Sequence, residues 1–180
     1  MTRCLLVSAC LVAIGCSSQA PVRPQQSLNP NAVRTRLIVV SPDGSTNDAA
    51  QELKAAALVG EYRVGDGLGF NLRLIFKDDA TFECTWTGCL GESGRSSGEW
   101  FIGEGGLNLN VAKADGMLEK QQLNHLQIVS FQNHYLLLKT EDRGWFDKHG
   151  PDTLCCFHQE GARQSLDNER MRRIKASAKE

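Results

Sequence analysis

Apolar and polar residues alternate with a period of two through most of the chain between Leu58 and Glu160. Leu72, Leu74 and Phe76 alternate with Asn71, Arg73 and Lys77. Beyond Asp78 and Asp79, Phe82, Cys84 and Trp86 alternate with Thr81, Glu83, Thr85 and Thr87. Successive side chains of a strand point to opposite faces, so this period predicts half-buried strands joined by short turns. Residues 60–72 (GEYRVGDGLGFNL) and 98–109 (GEWFIGEGGLNL) state one pattern twice: Gly-Glu-aromatic, a β-branched residue, Gly-acid-Gly, then alternation. Each reads as strand, tight turn and strand, with glycine supplying the turn, so both are hairpins of one antiparallel sheet.

Further strands are expected at residues 107–112, 126–131, 134–139 and 153–158. Residues 88–97 (GCLGESGRSS) read as a glycine and serine loop, and residues 117–122 fit either a strand or one turn of helix. Residues 141–152 read as an irregular loop carrying Trp145 and Phe146. About eight strands with no crossover helix between them imply hairpin connections. The expected fold is therefore all-β over residues 58–160, a small antiparallel up-and-down barrel or a strongly curled sheet, because curling removes exposed edges.

The flanks differ in composition. Residues 46–57, with Thr46 or Asn47 as cap and DAAQELKAAA as body, predict a short N-terminal helix with Ala49, Ala50, Leu53, Ala56 and Ala57 on one face. The β-branched run of residues 36–40 (RLIVV) can pair with a sheet edge or lie in a linker. Residues 161–180 predict a basic helical tail with Ala162, Leu166 and Ile174 on one side. Residues 58–160 carry nine Lys and Arg against fifteen Asp and Glu, so the tail can dock on its own acidic domain, or face anionic lipid or cell-wall polymer. The formal net charge of −1 gives no basis for nucleic-acid binding.

At the start, Cys4 to Ile14 (CLLVSACLVAI) is an apolar run behind Arg3. A spanning helix needs about 20 apolar residues, so residues 1–15 read as a signal peptide. Ala13-Ile14-Gly15-Cys16 resembles the lipobox of bacterial lipoprotein precursors, although leucine is usual where Ala13 stands. The resemblance implies cleavage before Cys16, lipidation of that cysteine with acyl chains such as palmitate, and anchorage in the cell envelope. Ser17 resembles the outer-membrane address of Gram-negative lipoproteins, which face the periplasm. Residues 16–45, with Pro21, Pro24 and Pro30 among Ser, Gln and Asn, read as a flexible tether.

Export puts the remaining cysteines, Cys84, Cys89, Cys155 and Cys156, in an oxidising compartment, where three pairings are open. Cys155 with Cys156 is disfavoured, because adjacent strand residues point to opposite faces. A disulfide bond from the Cys84 and Cys89 segment to the Cys155-Cys156 pair is the expectation, with buried free thiols as the alternative. Cys155, Cys156 and His158 lack zinc-type spacing, so no metal or cofactor is expected. Gly94-Arg95-Ser96-Ser97-Gly98 matches Gly-x-Ser-x-Gly, but a strand rather than a helix follows it, so no catalytic residue is assigned and no enzyme is expected. Gly65, Gly67 and Gly69 are not followed by the helix a phosphate loop needs.

Gly98-Glu99-Trp100 is similar to the Gly-x-Trp of lipocalins, and Gly60-Glu61-Tyr62 to an aromatic variant of it. This resemblance to calycin or lipocalin-like barrels covers residues 58–160 and implies a cavity for a small apolar ligand, lined by Tyr62, Leu72, Leu74, Phe82, Trp86, Trp100, Leu107 and Leu109. Against it stands a structural or interaction module in which those side chains fill the interior and loops meet an envelope protein or cell-wall partner. Interior volume separates the two. Trp145 and Phe146 form the candidate recognition loop, expected to fold over the barrel end with one ring plugging it and the other free for a partner or ligand, since adjacent strand residues cannot both face one core; the alternative is that both rings pack beneath the loop.

Overall fold

The computed structural model describes residues 31–89, 91–120 and 123–178, and of residues 91 and 92 the backbone alone. The signal peptide, Cys16 and the first half of the tether lie outside the described residues. The strands are β1 (Val33–Val40), β2 (Thr46–Leu53), β3 (Gly60–Gly65), β4 (Phe70–Phe76), β5 (Thr81–Gly88), β6 (Gly91–Gly103), β7 (Gly106–Ala114), β8 (His125–Phe131), β9 (His134–Lys139) and β10 (Cys156–Phe157). The helices are α1 (Met117–Lys120), α2 (Arg143–His149) and α3 (Glu160–Ser177), with single 3-10 turns at Ala55–Leu58 and Thr140–Asp142.

The described residues are mostly β, and their ten strands form one mixed sheet that is not closed into a barrel. Consecutive strands from β3 to β10 are antiparallel neighbours, as the alternation and turns predict. The expected purely antiparallel barrel fails at β8. β7 pairs with β8 only at Leu107 with Leu126 and Asn108 with His125, after which β1 takes over the same edge in parallel, from Leu37 with Ile128 to Val40 with Phe131. α1 lies between β7 and β8 in the chain. The sheet nevertheless curls: Arg63 N–H donates to His158 O at 2.8 Å and His158 N–H to Arg63 O at 2.9 Å, bringing β3 against the residue after β10.

The expected N-terminal helix is absent. Residues 46–53 are strand β2, paired along its whole length with β1, and only a 3-10 turn remains of residues 54–58. A helix of ten residues is marginal without tertiary support, whereas the hairpin satisfies the same backbone groups. Its turn is built for that purpose: Ser41 N–H donates to Ser45 O, Asp43 Oδ1 accepts Ser45 N–H, and Gly44 sits at φ 86°. Residues 33–45 are thus hairpin rather than tether. Two other assignments change. Residues 91–97 belong to β6 rather than to a loop, and residues 140–149 are helical rather than irregular.

Two cores lie on opposite faces of the sheet. Leu37, Leu126, Ile128 and Leu137 join the inner core with Tyr62, Leu74, Phe82, Trp100 and Leu107. Ile38, Val40, Val129, Phe131, Leu136 and Leu138 join an outer core capped by Phe146 of α2 and by Ala162 and Leu166 of α3. Strands buried on both faces read as unbroken apolar runs, which is why RLIVV and YLLL show no alternation. The tail helix is present and docked on this second core. Its buried side sets Ala162, Leu166 and Glu169 at i, i+4 and i+7 and leaves Ile174 half exposed, against the expectation that Ile174 shares their side.

Candidate functional site

The residues expected to line a cavity fill the interior instead. Tyr62, Leu74, Phe82, Trp100 and Leu107 are each no more than 1% exposed. Phe76 sits between two of them, its ring centroid 5.7 Å from Tyr62 and 5.0 Å from Trp100. Leu72 and Leu109 are buried in the same cluster, and Trp86 packs at its margin. Trp100, on β6, is held by two carbonyls of the turn between β4 and β5: its N–H donates to Ala80 O at 2.8 Å and its Nε1–H to Lys77 O at 3.2 Å. Burial, with a smaller contribution from Tyr135, pushes the Tyr62 hydroxyl far above the usual phenol range, and that hydroxyl has no hydrogen-bond partner.

Space remains at one end of this core. Phe70, Leu72, Trp86, Leu118, Leu123 and Lys139 line a pocket of about 270 Å3. The Trp86 ring stands 6.3 Å from Phe70, and its buried indole N–H has no acceptor. Lys139 Nζ lies 6.0 Å from the Phe70 centroid and is paired with Glu141 at 3.3 Å and Asp142 at 3.4 Å. Of the predicted lining residues, then, only Leu72 and Trp86 line this pocket. Phe70, Leu118, Leu123 and Lys139 come from distant segments, and no spacing in the sequence joins them.

The recognition loop is resolved into two roles. Phe146 is fully buried in the outer core, on the sheet face rather than over a barrel end. Trp145 is 41% exposed and stacks on His149 at 4.3 Å. α2 ends at Gly150, whose φ is 78° and whose N–H donates to Phe146 O at 2.7 Å. A side chain at Gly150 would collide with the Arg173 guanidinium, which packs there while Arg173 Nη2 donates to Gly44 O at 2.9 Å. α3 thereby lies beside α2, and Trp145, Leu154 and Ile174 face a groove of about 620 Å3 whose other walls include Lys148, Arg170 and Arg173. Glu169 holds Arg172 and Arg173 at 2.7 Å each, and these hydrogen bonds keep its carboxyl below the usual range.

The expected disulfide is not formed: Cys84, Cys89, Cys155 and Cys156 are free. Cys84 lies in the inner core and Cys155 and Cys156 in the outer one, so the sheet separates them. Burial pushes the Cys84 thiol up to about 12. Cys155 and Cys156 do share a side, with sulfurs 3.2 Å apart, because Asp152 Oδ1 accepts the N–H groups of Leu154 and Cys155 and turns the chain before β10. Ser96 of the Gly-x-Ser-x-Gly match is buried mid-strand opposite Cys84. Asp66 accepts the N–H groups of Leu68, Gly69 and Phe70, while the backbone O of the equivalent Glu104 accepts Arg36 N–H at 2.9 Å. Among the described residues no helix is long and apolar enough to cross a membrane.

No protein-family model, no curated protein and no solved structure matches this chain.

Proposed function

We propose that this chain is a lipid-anchored protein of the cell envelope that works as a structural or interaction module. The observation that carries the reading is the filled inner core, in which the candidate ligand-lining side chains pack on one another and leave recognition to the surface. The lipobox-like residues Ala13 to Cys16 support the anchor, and Ser17 the periplasmic face of an outer membrane. Produced in a bacterium from the full sequence, the parent chain should enter the detergent phase, and Cys16→Ser the aqueous phase. In gently solubilised envelopes the parent should migrate on native gels above the size of a lone protomer. Equal partition of the two chains removes the anchor, and migration as a lone protomer removes the interaction role.

One observation favours a second reading, a binder of a small apolar ligand. The orphaned Trp86 N–H stands beside a pocket near the lower end of the ~300–1,000 Å3 usual for ligand sites. Acetophenone, flat and carrying one acceptor, should shift the Trp86 indole N–H resonance. No shift at millimolar acetophenone ends this reading.

A further inference from the structure

We infer that the groove between α2 and α3 receives an acidic peptide segment of an envelope protein, seated by an apolar side chain between Trp145 and Ile174. This rests on the interaction-module reading and names the partner's chemistry. Three large apolar side chains meet there from separate segments, with Trp145 41%, Leu154 46% and Ile174 50% exposed. Isolated exposed apolar residues need no explanation, but a cluster rimmed by charge marks a contact surface.

The charge of the rim selects the partner. Both carboxylates on the groove already accept backbone hydrogen bonds: Asp43 from Ser45, and Asp152 from Leu154 and Cys155. Arg172 and Arg173 are shared with Glu169. Lys148 and Arg170 are exposed and enter no ion pair with a described residue; with Arg172 and Arg173 they outnumber Asp43, Asp152 and Glu169 by four to three, so the groove is net positive. The sheet domain around it carries the opposite excess, fifteen acidic against nine basic residues over residues 58–160. Complementary charge steers encounter, and an apolar anchor in a concave seat supplies the residence. The concavity favours a peptide over a bilayer. Membrane-surface helices present one continuous apolar face, whereas α3 turns Ala162 and Leu166 inward and, of its large apolar side chains, only Met171 and Ile174 outward.

The test uses the full-length chain in mild detergent and a fluorescein-labelled octapeptide of alternating glutamate and leucine. Binding should raise the peptide's anisotropy and shield Trp145 from acrylamide. Lys148→Glu with Arg170→Glu should weaken it about tenfold, and Ile174→Asp should do the same. All three positions are exposed, so far-UV circular dichroism should stay at the parent's. Lys113→Glu on β7 should leave affinity unchanged. Loss of affinity when serine replaces the peptide's leucine supports the apolar seat. The proposal is overturned if the groove variants bind the octapeptide as the parent does. It is equally overturned if phosphatidylglycerol vesicles bind in a groove-dependent way while the octapeptide does not. Native-gel complexes that persist in the groove variants would leave the interaction-module reading standing and remove the groove alone.

Discussion

Gly98 opens the second copy of the repeated pattern, and Gly98→Ala is predicted to be among the most damaging single-methyl changes in the protein. The register of β6 against β7 shifts between Ser97 and Gly98, so the two backbones approach closely there. A Cβ on Gly98 would fall inside contact distance of Asn110 O and 2.9 Å from Ala112 N. Both are backbone atoms of β7, so no side-chain rotation relieves the clash. The strands must separate locally, which costs about 1–3 kcal/mol of overpacking strain and about 1 kcal/mol for each ladder hydrogen bond lost. The sum is about 2–4 kcal/mol, a large part of the ~5–15 kcal/mol by which a domain is stable. Gly105→Ala is the control, since its Cβ would meet only His125 Nε2 at 3.5 Å, an ordinary contact. Gly144→Ala, exposed on α2 with nothing within 4 Å, should stabilise by up to ~1 kcal/mol. Urea midpoints followed by circular dichroism decide. Equal midpoints for Gly98→Ala and Gly105→Ala would refute the close-approach argument and with it the register assigned to β6 and β7.

Phe146→Ala should cost about 3–5 kcal/mol, as the loss of a fully buried large aromatic does, whereas Trp145→Ala, at 41% exposure, should cost well under 1 kcal/mol; equal urea midpoints would contradict the division of roles on α2. Burial, with a smaller contribution from Arg163, holds the His158 imidazole below its ordinary 6.5, against the weaker opposing pull of Cys156 O, Glu160 and Asp167. The unfolded chain therefore takes up this proton first as pH falls. The contribution is intact above about pH 6.5 and declines as pH drops through the folded value. His158→Asn should flatten the fall in urea midpoint between about pH 7.5 and 5.5, and an unchanged slope would remove His158 as its source.

Alternation and turn residues marked the strands from β3 to β9, apart from residues 91–97 of β6, and two of the hairpins that join them, because a period of two and Gly-acid-Gly turns are local properties that need no distant partner. The sequence by itself singled out Trp145 and Phe146 as a pair but did not say which is buried; Cys155 and Cys156, neighbours within one core, show that adjacency alone does not decide it. It could not place residues 46–53. Ala49, Ala50, Gln51, Glu52 and Leu53 favour a helix locally, but the pairing of β2 with β1 supplies eight opposed residue pairs that local propensity does not register. Insertion of β1 beside β8 was equally hidden. A parallel edge contact leaves no turn in the sequence, and the unbroken apolar run RLIVV records only that both faces are covered. The free cysteines follow from the same layering, because spacing along the chain does not say which face of a sheet a thiol occupies. The groove is wholly a tertiary object. Trp145, Leu154 and Ile174 lie nine and twenty residues apart in succession, and they meet because Leu166 and Phe146 dock α3 and α2 on one sheet face while Gly150, lacking a side chain, makes room for Arg173.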